Sequence, residues 1–395
     1  MTNLYYQKLG NQKENTSPLQ QIIRLVTAVI VGILLFLLSR SFSTPYEIEV
    51  AINVDEIKPQ LQELKPNKIA MVIVYHGEKL PSYSKNFLKS IKNKAMDVLF
   101  VSTSNASLLK STDDNIKQMF LPTNFYTFTA SRLCEAYGDC TTSDKYNFGH
   151  LIQKRLNRPN LVCELRPMFQ FIFAAYLTQY DYVGWGDMDI IWGDTSSLIR
   201  YLKYDIITVS FGDLNRLYLR GQFSIFRNRA SMALEFTEAI PKKILLAYFR
   251  IPYMLAEEGL YSKYMLSTNN SILILPFQRS SWDCQDNILM SNNTLECDKA
   301  DKVDKIPFIE VGPVQEEITI TADSLENCST TWVAKDHRTC IHSVPFGFMI
   351  VENNTAYSHP VTPKEQASIL RYPLFYHFQK EKDGFEFKPI DQIKT

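Results

Sequence analysis

The chain has 395 residues, and its 42 Lys and Arg are balanced by 42 Asp and Glu, so the formal net charge is zero. Nucleic-acid affinity depends largely on excess basic charge, so this balance argues against a nucleic-acid partner. Apolar residues make up 45% of the chain and charged residues 21%, a composition typical of globular proteins and not of disordered ones. The length allows about two or three structural units.

The first element in chain order is a long uncharged apolar run, residues 25–38 (LVTAVIVGILLFLL), between Arg24 and Arg40. Its length approaches that of a helix spanning a thin membrane, which predicts a single transmembrane signal anchor over residues 21–39. A cleaved signal peptide or a buried core helix is the alternative. Slightly more basic residues precede the run than follow it, which predicts a cytosolic tail at residues 1–20 and a type II orientation.

Two patterns beyond this run favour the lumen of the secretory pathway, in the Golgi or the endoplasmic reticulum. Five glycosylation sequons begin at Asn105, Asn269, Asn292, Asn327 and Asn353. Six of the seven cysteines form close pairs, Cys134 with Cys140, Cys284 with Cys297, and Cys328 with Cys340, and Cys163 is left over. Disulfides between close cysteines are plausible in an oxidising lumen, whereas reduced thiols and chance sequons are the alternative.

A β-α-β unit follows a polar stem at residues 40–66. Residues 68–75 (KIAMVIVY) form an apolar run without alternation, which predicts a strand buried on both faces. Residues 83–94 have the pattern of an amphipathic helix, and residues 96–102 (MDVLFVS) predict a second buried strand.

Strands and helices continue to alternate further along the chain. The predicted elements are a helix (167–180), a strand (181–185), a helix (195–203), a strand (204–210) and two helices (232–240 and 242–255). This order predicts an α/β fold with a mainly parallel mixed sheet flanked by helices, in which ligands bind at the carboxyl ends of the strands. The polar region 267–342 predicts loops or a β-rich acceptor-side region.

An acidic loop follows the strand at 181–185. Asp187 and Asp189 are two positions apart, so in an extended chain their carboxylates point to the same side. Two neighbouring carboxylates suit a hard divalent cation such as Mg²⁺ or Mn²⁺ that is shared with substrate phosphates. Trp185 and Trp192 would provide apolar walls on the acceptor side. A solvated turn is the alternative interpretation of this motif.

Further carboxylates are candidates for catalysis. Glu257 and Glu258 follow a predicted apolar helix, and either could act as a general base for an acceptor hydroxyl. Asp194 is a further candidate base close to the acidic loop. The alternative for the glutamate pair is a solvated helix end.

The chain also resembles a known group through several motifs in a fixed order. The resembling segments are residues 75–81 (YHGEKLP), 165–167 (LRP), 184–189 (GWGDMD) with 192–194 (WGD), 221–228 (GQFSIFRN) and 376–380 (YHFQK). They are similar to the nucleotide-sugar-dependent glycosyltransferases of the GT-A fold, type II membrane proteins of the Golgi. The chain more narrowly resembles a little-characterised glycosyltransferase-like family with a W-G-D-x-D motif.

This resemblance implies a role for individual residues on the donor side. The loop with Tyr75, His76 and Gly77 would hold the nucleotide base and ribose. Asp187 and Asp189 would hold Mn²⁺ or Mg²⁺ on the diphosphate.

The C-terminal motif would complete this site. His377 would be the third metal ligand, with a packed aromatic-cluster histidine as the alternative. Lys380 would contact the β-phosphate as a point charge.

The remaining motif positions would complete the donor and acceptor sides. Arg166, which stands where the family usually has Lys, would contact the donor. Gly221 and Gln222 would lie on the acceptor side, with Gln222 at a position where the family usually has His. The fold implied is GT-A-like, with a nucleotide-sugar-binding half at residues 67–215 and an acceptor-side half at residues 216–390.

These inferences lead to one functional prediction and two alternatives. The prediction is a metal-dependent glycosyltransferase that moves a sugar from a UDP- or GDP-sugar to a glycan, glycoprotein or glycolipid acceptor. One alternative is a metal-dependent phosphatase or phosphotransferase that uses Asp187 as its nucleophile. The other is a lumenal binding protein without catalysis.

Overall fold

The computed structural model describes residues 69–92, 95–103, 113–121, 125–156, 162–209, 216–248, 256–276, 278–280, 288–291, 294–297, 303–306, 309–312, 314, 316–319, 339–340, 347–353, 355–377 and 388–389. All of them belong to one unit, Glu63–Thr395. The predicted tail (1–20), anchor (21–39) and stem (40–66) lie outside these residues. Among the residues described, no helix is both long enough and apolar enough to cross a membrane.

The described elements comprise strands, α-helices and short helices of other types. The strands are β1 (Ile69–Tyr75), β2 (Asp97–Ser102), β3 (Ile116–Phe120), β4 (Tyr182–Gly186), β5 (Ile190–Trp192), β6 (Ile206–Val209), β7 (Arg216–Leu217), β8 (Phe223–Arg227), β9 (Ile272–Leu275), β10 (Gln278–Ser280), β11 (Ile288–Ser291), β12 (Thr294–Cys297), β13 (Glu316–Thr319), β14 (Thr339–Cys340), β15 (Gly347–Glu352), β16 (Thr355–Pro360), β17 (Phe375–His377) and β18 (Lys388–Pro389). The α-helices are α1 (Ser84–Ile91), α2 (Phe125–Tyr137), α3 (Thr142–Leu156), α4 (Phe169–Ile172), α5 (Ala174–Leu177), α6 (Ala230–Ala239), α7 (Lys242–Tyr248), α8 (Ser262–Leu266) and α9 (Pro363–Arg371). Cys163–Met168 and Ser196–Tyr201 are 3₁₀ helices, and Ala256–Tyr261 is a π-helix.

The first strand is covered on both faces. Ala70 and Val72 pack in a hydrophobic cluster that includes residues of α2, α3 and α6. Met71 and Ile73 point the other way, into a second cluster that includes Phe87 of α1. The absence of alternation in the sequence of β1 therefore has a physical cause, because a strand with helices on both faces has no polar side. The predicted β-α-β unit of β1, α1 and β2 is confirmed within a few residues at each boundary.

The large sheet is mixed. Its ten strands lie in the order β13-β16-β15-β9-β6-β8-β4-β1-β2-β3. The pairs β1 with β2, β1 with β4, β2 with β3 and β6 with β9 are parallel. The other five neighbouring pairs are antiparallel. The predicted fold class is therefore wrong: the protein is α/β, but its sheet is not mainly parallel.

The strand that changes the direction of the sheet is β8, which lies between β4 and β6 and runs antiparallel to both. β6 ends at Val209 and β8 begins at Phe223, and the described part of their connection contains no helix. A parallel neighbour would need a long crossover, usually a helix. The antiparallel pairing of β8 is consistent with a connection whose described part contains no helix. Strands from both predicted halves, 67–215 and 216–390, share this sheet.

The helix predicted at 167–180 is interrupted. The chain forms a 3₁₀ helix with Pro167 inside it and then the single turns α4 and α5. Proline has no N–H to donate to a preceding turn, and Phe173 leaves the α region with φ −103° and ψ 16°. The helix predicted at 195–203 is a 3₁₀ helix, Ser196–Tyr201.

The cysteine predictions are tested in part. Cys134 in α2 and Cys140 form a disulfide with a Cα–Cα distance of 5.2 Å, which confirms that predicted pair. Cys163 is a free thiol, as the pairing pattern predicts. The pairs Cys284–Cys297 and Cys328–Cys340 lie outside the described side chains.

Two of the predicted sequons begin at described residues. Asn269 is exposed, and Asn353 is exposed with a φ of 51° between β15 and β16. The sequons at Asn105, Asn292 and Asn327 lie outside the described residues.

Gly184 provides a test of the β4–β8 pairing. It lies opposite Ile225, and a Cβ added at Gly184 would meet the carbonyl oxygen of Ser224 and lie 2.9 Å from the Cα of Ile225. These are backbone atoms of the neighbouring strand, so we expect Gly184→Ala to lower the free energy of unfolding by about 2 kcal/mol in denaturant titrations. Gly149→Ala in α3 is the control, because its nearest atom would be 3.8 Å away. An equal loss in the two variants would contradict this packing.

Candidate metal centre and cavity

The carboxyl ends of the parallel strands bring two predicted loops together. β1 and β4 are parallel neighbours, so the residues after Tyr75 and those after Gly186 lie at one edge of the sheet. β8 runs antiparallel with Phe223 opposite Gly186, which places Gln222 at this edge as well. The main-chain N–H of Asp187 donates to the carbonyl oxygen of Gln222 over 3.4 Å. This is the edge at which α/β proteins commonly bind ligands.

A second sheet brings His377 to the acidic loop. Asp187 and Asp189 lie in the connection from β4 to β5. β5 pairs antiparallel with β17, so that His377 lies opposite Ile190. The Nε2 atom of His377 is 3.2 Å from Oδ1 of Asp189 and 3.7 Å from Oδ2 of Asp187.

These three side chains fit a divalent cation. Each offers one ligand atom, and the three atoms lie within 4.8 Å of one another. Two ligands at right angles around Mg²⁺ are about 3.0 Å apart, since the metal–oxygen distance is about 2.1 Å. The side chains of Asp187 and Asp189 are only 21% and 11% exposed, so two neighbouring carboxylates are largely removed from water. A cation between two such carboxylates is strongly favourable, and a donor set of two carboxylates and one imidazole is compatible with several divalent metals.

The three ligand atoms face a cavity of about 330 Å³. The residues that line it are Ile73, Val74, Tyr75, His76, Tyr83, Val162, Cys163, Arg166, Gly186, Asp187, Met188, Asp189 and His377. One part of this lining is apolar or aromatic, and the other carries the acidic groups and one guanidinium. With a cation bound to the acidic groups, such a lining suits a ligand that carries both a ring and negative charge.

The loop after β1 forms the aromatic part of the cavity. The hydroxyl of Tyr75 donates to the carbonyl oxygen of Lys79 over 2.6 Å, which closes the loop over Gly77. Nδ1 of His76 is 2.7 Å from the hydroxyl oxygen of Thr103. Burial lowers the pKa of His76, so this ring is neutral near pH 7. Tyr75 and His76 therefore lie where the sequence predicts a donor-binding loop, and Gly77 lies beside Tyr75.

Arg166 connects the acidic loop to Glu257 in the π-helix Ala256–Tyr261. Its Nη2 donates to Oδ1 of Asp187, and its Nη1 donates to the carboxylate of Glu257 at 2.9 and 3.2 Å. Arg166 is 7% exposed and Glu257 is 4% exposed. The guanidinium predicted to contact the donor therefore forms a buried bridge between two carboxylates.

Burial and charge act in opposite directions on this pair. Burial raises the pKa of Glu257 well above its usual range, and Arg166 opposes that rise. Burial alone would lower the pKa of Arg166, but Asp187 and other neighbouring groups raise it. Arg166 therefore stays protonated, and its charge compensates only part of the acidic charge around it.

Gly221 and Glu258 complete the packing around Arg166. The N–H of Gly221 donates to Oε1 of Glu258 over 3.2 Å. A Cβ at Gly221 would lie 2.7 Å from Nη1 of Arg166 and 2.9 Å from Oε1 of Glu257. A larger residue at position 221 would therefore push on the side chains of Arg166 and Glu257. Neither glutamate lines the cavity, although both were predicted as candidate bases.

The two tryptophans lie in the core. Trp185 is 3% exposed, and its ring centroid is 4.5 Å from that of Phe226. Trp192 is 1% exposed and packs between Phe223 and Phe375, at 5.6 and 5.4 Å. They hold the strands on either side of the acidic loop and do not line the cavity, in contrast to the predicted acceptor-side walls.

Asp194 closes the turn into the 3₁₀ helix Ser196–Tyr201. Its Oδ1 accepts from the N–H and hydroxyl of Ser196 at 3.0 and 2.5 Å, and its Oδ2 accepts from Nζ of Lys305 at 2.8 Å. It does not line the cavity. Lys380, the predicted phosphate contact, lies outside the described residues.

Two contributors near the site were not predicted. Glu164 accepts from the N–H groups of Ala256 and Glu257 at 2.7 and 3.3 Å, which fixes the start of the π-helix. Cys163 lines the cavity, and burial raises the pKa of its thiol to about 12. Both residues precede the L-R-P motif at 165–167. The sequence predicts a helix start and a donor contact for that motif, and no role for Cys163 or Glu164 at the site.

Comparison with known families gives one match. Residues 71–388 match a protein family described as a family of unknown function (DUF6625). No curated protein matches the chain. The match includes β1, the acidic loop and β17, and therefore the whole candidate metal centre.

The ion pair of Asp194 gives a pH-dependent prediction. Burial opposes ionisation of Asp194, but hydrogen bonds from Lys305 and Ser196 outweigh it and lower the pKa. A lowered carboxyl pKa contributes stability that is present above the unfolded value of about 3.9 and is lost as the pH falls through the folded value. We expect Asp194→Asn to cost about 1 kcal/mol at pH 7 and clearly less at pH 3, measured by denaturant unfolding. A loss of the same size at both pH values would show that the charge is not the cause.

Proposed function

We propose that this chain, which belongs to the DUF6625 family, is a metal-dependent glycosyltransferase that transfers a sugar from a nucleotide-sugar donor to a glycan-bearing acceptor. The observation that carries the proposal is the convergence of Asp187, Asp189 and His377 in the lining of a cavity that also contains aromatic residues. The order of motifs that resembles glycosyltransferases supports the same function.

The three proposed metal ligands come from two parts of the chain. Asp187 would bind through Oδ2, because Oδ1 is held by Arg166. Asp189 and His377 would each contribute one atom. A bound Mn²⁺ or Mg²⁺ would neutralise the negative charge that develops on a nucleoside diphosphate as the sugar leaves it.

The cavity lining fits the two ends of such a donor. Tyr75 and Tyr83 line the same cavity as Asp187 and Asp189, and they offer aromatic surface for the base of a nucleotide whose diphosphate meets the two aspartates. His76 is neutral and adds a hydrogen-bonding group without attracting phosphate. Binding in this orientation would place the sugar–phosphate bond close to the three metal ligands and hold water away from it.

The proposed compartment is the lumen of the secretory pathway, where glycan acceptors occur. The disulfide Cys134–Cys140 supports it, because such bonds persist in oxidising compartments. The exposed sequon asparagines Asn269 and Asn353 are compatible with this location.

Metal binding is the first test. We expect Mn²⁺ at a hundredfold excess over its dissociation constant to stabilise the full chain by about 2.7 kcal/mol. Asp187→Asn and Asp189→Asn should each abolish this effect, because an amide oxygen is a weaker ligand than a carboxylate. The measurement is thermal unfolding with and without MnCl₂. Asp181→Asn is the matched control, since Asp181 is exposed at the amino end of β4, the strand that precedes the acidic loop. A shift that survives in Asp189→Asn would contradict the site.

Turnover is the second test. A panel of UDP- and GDP-sugars is incubated with the full chain and Mn²⁺, and released nucleoside diphosphate is measured with and without glycan acceptors. We expect release from one donor class, loss of at least about a hundredfold in Asp189→Asn, and wild-type release in Asp181→Asn. Donor binding without release over the whole panel would favour a non-catalytic binding protein. Full turnover in Asp189→Asn would overturn the proposal.

A further inference from the structure

Arg166 occupies an unusual position next to the candidate metal centre. It is almost fully buried, yet it lines the cavity and donates to Oδ1 of Asp187 in the acidic loop. Its two terminal nitrogens have different partners: Nη2 donates to Asp187, and Nη1 donates to Glu257. The two carboxylates belong to different elements: Asp187 lies in the β4–β5 loop, and Glu257 lies in the π-helix Ala256–Tyr261.

The contact with Asp187 selects one carboxylate oxygen. Arg166 holds Oδ1, and the other oxygen, Oδ2, lies 3.7 Å from Nε2 of His377. Because the guanidinium is planar and its donors have fixed directions, the contact restricts rotation of the carboxylate as well as its position. One oxygen of Asp187 is thereby directed towards His377 and Asp189.

The contact between Arg166 and Glu257 is supported by neighbouring residues. Glu257 accepts from Nη1 through both oxygens, at 2.9 and 3.2 Å. Glu164 fixes the first two N–H groups of the π-helix, and Gly221 allows the backbone to approach Arg166. Movement of Glu257 would therefore reach Asp187 through a single side chain.

We propose that Arg166 is a positioning residue, which transmits the placement of Glu257 to Asp187 and so sets the affinity of the metal centre. This inference rests on the proposed metal site and reassigns two residues. Arg166 does not act as a contact to the donor, because its terminal nitrogens are engaged with carboxylates. Glu257 does not act as the acceptor base, because both of its oxygens accept from Arg166. Partners outside the first ligand shell typically change metal affinity or activity by about 10- to 100-fold when they are replaced.

The test measures Mn²⁺ affinity of the full chain from the electron paramagnetic resonance signal of free Mn²⁺. Arg166→Lys keeps the charge but cannot bridge two carboxylates with a planar fork. Glu257→Gln keeps the shape of the side chain but weakens its hydrogen bonds with Nη1 of Arg166. We expect each to raise the dissociation constant about tenfold or more. Glu238→Gln is the matched control, because it removes a carboxylate charge at an exposed position in α6.

A double variant separates positioning from general loosening of the fold. If Glu257 acts through Arg166, the double variant Arg166→Lys with Glu257→Gln should bind Mn²⁺ no more weakly than Arg166→Lys alone. A merely structural role would lower the unfolding temperature without metal and leave the dissociation constant unchanged. Gly221→Ala is a further variant that changes no charge, and its Cβ would crowd both Arg166 and Glu257. It decides the question if Arg166→Lys does not fold.

The outcomes for this inference and for the proposed function differ. Wild-type affinity in Glu257→Gln and Gly221→Ala, with loss of binding in Asp189→Asn, would overturn the positioning role and leave the metal site intact. Additive losses in the double variant would overturn the route through Glu257. No Mn²⁺ binding by the wild-type chain would overturn both the inference and the proposed metal site.

Discussion

The antiparallel pairing of β17 with β5 is the constraint on which the candidate site depends. β5 follows the acidic loop directly, whereas β17 lies near the C-terminus of the chain, and three residue pairs join them. Packing of Trp192 against Phe223 and Phe375 holds this contact from inside the core. The aromatic residues thus have a structural role with a functional result, because they bring His377 within 3.2 Å of Asp189.

The same region concentrates acidic charge in a place where water is scarce. Asp189 and Glu257 are buried, and Arg166 is the cation that bonds to Glu257 and to Asp187. Removing one partner from a buried ion pair is costly, because the remaining charge is left without compensation. A single guanidinium is shared between two carboxylates, and Asp189 places a third carboxylate close to Asp187. The arrangement therefore favours a cation at Asp187, Asp189 and His377.

Local sequence patterns predicted the elements that local physics controls. β1 and β2 are encoded by continuous apolar runs and α1 by apolar periodicity, and the disulfide Cys134–Cys140 follows from close spacing. The sequence predicted that Asp187 and Asp189 converge on the assumption of an extended chain, whereas the structure brings them together at a bend between β4 and β5. His377 required the order of motifs and their resemblance to a known group, since nothing local connects residues so far apart in the chain.

Other features depend on tertiary packing and were not accessible from sequence. The antiparallel direction of β8 is consistent with a connection whose described part contains no helix, and this direction changes the fold class. The burial of Trp185 and Trp192 depends on which face of each strand is covered. The bridge from Arg166 to Glu257 joins a 3₁₀ helix to a π-helix, two elements that periodicity does not predict.

The most direct measurement of the central claim is the position of Mn²⁺ in crystals of this protein, from anomalous scattering after soaking in MnCl₂. The account predicts one strong peak within about 2.3 Å of Oδ2 of Asp187, an oxygen of Asp189 and Nε2 of His377. Absence of a peak there, in crystals that bind Mn²⁺ elsewhere or not at all, would contradict it.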